Sequence, residues 1–114
     1  MKFYMDLATK EVVNEKEEGK EYRELKANEV DAALEKHVPV YEVINDKIKV
    51  RVGSINHPME EKHYIQWIAM EKEGDLIKKE LSPNDKPEAM FDYIPGTFIY
   101  AYCNLHGLWK NNVE

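Results

Sequence analysis

A chain of 114 residues, 43% hydrophobic and 33% charged, suffices for one domain that buries roughly two-thirds of its unfolded surface. Its net charge of -6 argues against nucleic acid as a partner, because phosphate contacts need a basic face. The single cysteine excludes an internal disulfide, and no apolar run of signal-peptide or membrane-span length is present, so the expected setting is a reducing cytoplasm without membrane contact.

Taken in order, residues 2–7, 11–14 and 21–25 read as short strands, separated by a polar turn at 15–20 that carries Gly19. Residues 28–35 fit a short helix with Asn28 as its cap and Val30, Ala33 and Leu34 on one side, and His37 follows its exit. Strands are then expected at 38–44 and 47–52 around an Asn45-Asp46 turn, since Ile48, Val50 and Val52 alternate with Lys49 and Arg51. His63 should open a strand at 63–70, with His63, Ile65, Trp67 and Ala69 on one face and Tyr64, Gln66, Ile68 and Met70 on the other. A Glu73-Gly74-Asp75 turn leads into residues 76–81, and residues 82–88 form a loop. The last strands are expected at 89–93 and 97–104 around a Pro95-Gly96 turn. Short strands at this spacing predict an all-β sandwich.

The chemistry concentrates in a few polar residues. Cys103 and His106 lie three apart, so that a thiolate and an imidazole can reach one ion from a turn through Gly107. The remaining histidines are His37, beside Pro39, and His57 and His63, which flank Pro58. A lone histidine is ordinarily a hydrogen-bonded surface residue and a lone cysteine a small buried hydrophobe. Taken together, ligand-like spacings at strand ends favour a shared metal ion. Five ligands are one more than tetrahedral zinc takes, and on iron they leave one octahedral position open. Copper is the competing metal. The axial methionine usual in blue-copper sites is missing after His106.

Four strings carry a resemblance to a known family: residues 30–40, residues 47–54, residues 57–68 with their two histidines, and residues 102–109 around Cys103 and His106. They resemble the superoxide reductase family, comprising desulfoferrodoxin and neelaredoxin, in the family's order from about Asn28 to Lys110. The resemblance implies an immunoglobulin-like seven-stranded sandwich and one iron ion. His37, His57, His63 and His106 would be equatorial ligands and Cys103 the axial thiolate. It divides the chain into an amino-terminal β remnant at 1–27 and an iron-binding domain at 28–114. Desulfoferrodoxins carry a second iron held by four cysteines in that first region. Here Asp6 and Thr9 stand where the first two would be, and the cysteine count rules that centre out. Gln66 replaces a frequent glutamate.

The implied activity is one-electron reduction of superoxide to hydrogen peroxide. Lys36 would guide the anion and organise proton-donating water, and Glu35 would occupy the sixth position of ferric iron. A non-catalytic electron carrier at the same site is the alternative. A rubredoxin-like electron donor is implied as a partner, and a homodimer built through the amino-terminal edge strands is expected.

Overall fold

The computed structural model describes residues 1–29, 34–53 and 57–114, without the side chains of Leu34 and Glu35. Within them the chain forms β1 (Phe3–Asp6), β2 (Val12–Val13), β3 (Tyr22–Leu25), the single turn α1 (Leu34–His37), β4 (Pro39–Ile44) and β5 (Lys47–Val52). There follow β6 (Ile65–Lys72), β7 (Asp75–Glu80), β8 (Glu88–Asp92), β9 (Phe98–Cys103) and β10 (Gly107–Asn112). All pairings are antiparallel, in sheets ordered β4-β5-β8, β10-β9-β6-β7 and β2-β1-β3. The first two sheets supply seven strands in an immunoglobulin-type order.

Between these two sheets lies one core, in which Ile48, Val50 and Val52 of β5 and Ala89 and Phe91 of β8 meet Ile68, Met70, Ile99 and Ala101. On the opposite face of the four-stranded sheet, Trp67, Ala69, Tyr100, Tyr102 and Leu108 form a second core with Phe3 and Val12. The small amino-terminal sheet therefore covers a face that would otherwise present aromatic rings to water. Phe3 sits between Trp67 and Tyr100, with ring centroids 5.9 and 4.8 Å away.

Four local expectations are corrected. Strand β10 was not foreseen. It follows a turn in which Gly107 adopts φ 80°, open to glycine at little cost, and it pairs back along β9 from Gly107 opposite Cys103. The strict alternation expected over 63–70 fails at a β-bulge: Ile65 pairs with Cys103 but Trp67 with Tyr102, leaving Gln66 as the extra residue. Ile65 thereby joins Ile68 and Met70 in the inner core and not Trp67 in the outer one. His63 opens no strand; it makes an isolated bridge with Glu60 just before β6.

Of the helix expected at 28–35, residues 30–33 lie outside the described residues, and α1 begins at Leu34. Asn28 is not a helix cap. Its φ of 63° is left-handed whereas a cap is extended, and its carboxamide is committed to β10, accepting from Lys110 N–H at 2.9 Å and donating to Lys110 C=O at 3.2 Å.

Candidate metal centre

The strand pairing brings the chemistry to one end of the sandwich. Pro39 at the start of β4 pairs with Val52 at the end of β5, and Ile65 at the start of β6 with Cys103 at the end of β9. His37 immediately precedes that end of β4, His57 follows β5, His63 precedes β6, and His106 lies in the β9–β10 turn. One ligand atom from each of these histidines and the Cys103 sulfur lie within 4.8 Å of one another.

The four imidazoles stand at the corners of a square. Neighbouring centroids are 4.6 Å apart for His37–His57, 4.8 Å for His57–His63, 4.9 Å for His63–His106 and 4.7 Å for His37–His106, with planes 73° to 82° apart. His37 and His63, across the diagonal, are 6.5 Å apart and close to parallel at 25°. A square of such sides has a diagonal of roughly 6.5 to 6.9 Å, so the rings surround a common centre in tetragonal fashion. The sulfur of Cys103 approaches two opposite corners, His57 Nε2 at 3.5 Å and His106 Nδ1 at 3.9 Å. It therefore lies over the square and not along a side.

The donor set fits a metal ion on three counts. His37 Nε2 lies 3.0 Å from both His57 Nε2 and His106 Nδ1. Two nitrogens bound at right angles to one ion at about 2.1 Å would stand about 3.0 Å apart. His57 Nδ1–H donates to the Pro58 carbonyl at 2.6 Å, which settles the tautomer and leaves Nε2 a bare lone pair directed inward. His63 Nε2 is buried with no hydrogen-bond partner among the described residues, a costly position for a polar atom unless a ligand completes it.

Burial, aided by the charges of His37, His63 and His106, pushes the His57 pKa down to about 4. The same desolvation lowers His63, with contributions from His106 and Lys36 that Glu60 opposes. Both shifts favour the neutral form that coordinates. Burial raises the Cys103 thiol, against the lowering effect of the Leu105 and His106 backbone N–H groups. That sulfur would become a thiolate where a bound metal ion replaced its proton.

All five residues expected as ligands are thus gathered in one cluster. Lys36 is exposed on α1, close enough for its charge to act on His63. Glu35 belongs to α1 by its backbone, and its side chain lies outside the described residues. Two neighbours went unremarked in the sequence. Trp109, fully buried, stacks on His37 at 5.0 Å and donates its indole N–H to the His106 carbonyl at 3.0 Å. Asn104 bonds the backbone around His63, accepting from Tyr64 N–H and donating to Lys62 C=O, both at 3.0 Å. Reading Gly107-Leu108-Trp109 as the start of a strand would have pointed to the first, and the tendency of asparagine to bond nearby backbone to the second.

The family model for desulfoferrodoxin matches residues 29–112. The chain belongs to the desulfoferrodoxin family. A desulfoferrodoxin from Syntrophotalea carbinolica is 56% identical over 94 residues, 82% of this chain and 75% of that one. A superoxide reductase from Pyrococcus horikoshii is 34% identical, the match covering 70% of this chain and 87% of that one. The crystal structure of the superoxide reductase from Treponema pallidum superposes with a TM-score of 0.76 at 33% identity, covering 98% of this desulfoferrodoxin-family chain and 100% of that chain. The amino-terminal sheet is therefore included in that structural likeness, although the family model begins after it.

Proposed function

We propose that this protein reduces superoxide to hydrogen peroxide by one electron at a single iron ion held by His37, His57, His63, His106 and Cys103. The observation that carries the reading is the square of four imidazoles with the Cys103 sulfur over it. Bound ferrous iron would supply one electron to superoxide, and two protons from water would complete the peroxide. The chain's own residues keep the ion's surroundings dry on the protein side. His37 and His57 are nearly inaccessible and Cys103 is fully buried. One thiolate and neutral imidazoles leave ferrous iron with about one net positive charge, which attracts an anion despite the acidic chain. Lys36 adds exposed positive charge near His63; by the family resemblance it would also hold proton-donating water, and Glu35 would serve as the carboxylate for ferric iron.

Residues 1–27 act as a metal-free cover over the outer face of the four-stranded sheet, and 28–114 as the iron-binding domain. No helix among the described residues is long and apolar enough to cross a membrane. A lone buried thiol suits a reducing cytoplasm, and a rubredoxin-like protein is the kind of donor that would return the electron. The edges of the amino-terminal sheet, β2 and β3, are where a second copy would pair to form a homodimer.

Pulse radiolysis of iron-loaded protein tests the activity by stoichiometry. Reduction yields one peroxide per superoxide with no dioxygen from the reaction, whereas dismutation yields one peroxide per two superoxide with dioxygen. Dioxygen release, or iron bound well below one ion per chain, would overturn the proposal.

A further inference from the structure

The regular β6–β9 pairing ends with Ile65 opposite Cys103, and the two chains continue toward His63 and His106. Asn104 joins them there. Its backbone N–H donates to Tyr64 C=O at 3.3 Å, its Oδ1 accepts from Tyr64 N–H at 3.0 Å, and its Nδ2 donates to Lys62 C=O at 3.0 Å. Thus one residue, adjacent to Cys103, grips the peptide groups on either side of His63. On the other flank, His63 and Glu60 exchange two backbone bonds of 3.0 and 2.9 Å, closing residues 60–63 into a tight loop whose only other tether to the thiolate side is Asn104 among the bonds of the described residues.

Resting on the iron reading above, we infer that Asn104 is a positioning residue that fixes His63 relative to Cys103 and His106. An alanine there would leave the Lys62 carbonyl and the Tyr64 N–H to water, and the 60–63 loop would pivot on its Glu60 bridge. His63 Nε2, which has no hydrogen-bond partner among the described residues, would lose its place in the square first. Groups in such outer positions commonly change metal affinity 10- to 100-fold.

The test compares parent, Asn104→Ala, Asn104→Asp and Asn28→Ala, each iron-loaded and metal-free. Asn28 makes the same kind of double bond to backbone, but to Lys110, away from the ligand loops, and so controls for loss of fold stability alone. In Asn104→Ala, release of ferrous iron to excess chelator should accelerate about 10-fold or more. Its ferric thiolate absorption should shift, and the gap in Tm between loaded and metal-free protein should shrink. Asn104→Asp keeps the acceptor for Tyr64 N–H and loses the donor, so it should fall between parent and alanine; it carries the test alone if the alanine variant does not fold. Asn28→Ala should lower both Tm values alike with release unchanged. Asn104 variants that behave as Asn28→Ala does would overturn the inference while leaving the iron reading intact. A parent that holds no iron would overturn both.

Discussion

The indole of Trp109 lies against the imidazole of His37, centroids 5.0 Å apart and planes inclined by 26°. Its N–H reaches the carbonyl of His106, so one buried side chain sets two corners of the square. Trp109→Phe should preserve the stacking and lose the hydrogen bond, lowering stability by about 1 kcal/mol and raising the rate of iron loss. Trp109→Ala should cost about 3 to 5 kcal/mol by opening the core. Denaturant melts of the metal-free variants check the energies, and chelator competition checks the iron.

Replacing Cys103 by Ser keeps the volume of a fully buried side chain almost unchanged but substitutes a poor anionic donor. The variant should fold, lack the visible charge-transfer band of a ferric thiolate, and lose most superoxide reduction. A spectrum like the parent's would show that the sulfur over the square is not a ligand.

Lys36→Met would retain most of the stem and remove the charge, so fold, iron content and the ferric thiolate band should survive. The second-order rate with superoxide should fall roughly 10-fold and become less sensitive to salt, because less attraction remains to be screened. Pulse radiolysis across ionic strengths measures both. An unchanged rate and salt slope would leave guidance to the charge of the iron alone.

Asp92 on β8 joins the two sandwich sheets through Lys47 of β5 and Lys72 of β6, at 2.5 and 3.0 Å. Hydrogen bonds from both ammonium groups pull its pKa from 3.8 down to about 2. A carboxylate held lower in the folded than the unfolded state stabilises above its ordinary value, and that contribution is lost as pH falls through the folded one. Stability should therefore decline between about pH 4 and pH 2. Asp92→Asn should flatten that part of the profile, as chemical denaturation at several pH values would show.

Four of the five ligands were legible because each lies near a proline or glycine at a strand boundary: His37 before Pro39, His57 before Pro58, and Cys103 and His106 before Gly107; His63 was legible by its spacing from His57. Strong alternation likewise made β5 legible to the residue. What failed was less local. The bulge at Gln66 shows only in the pairing with β9, since no single-strand pattern contains an extra residue. Strand β10 has buried Leu108 and Trp109 side by side, one toward the outer core and one against His37, which hides its period of two. Asn28 resembled a helix cap because the same carboxamide chemistry serves a strand across the fold equally well.

Strands β6 and β9 have no solvent face: Ile68, Met70, Ile99 and Ala101 build one core while Trp67, Ala69, Tyr100 and Tyr102 build the other. Each core is thus a wall of its neighbour, and melting the amino-terminal sheet would wet the back of the strand that ends in Cys103. Thermal unfolding should then be a single cooperative event, with calorimetric and van't Hoff enthalpies in agreement and iron released within the transition. The amino-terminal sheet and the candidate metal centre should therefore share one fate, although among the described residues no side chain of the first belongs to the ligand cluster of the second.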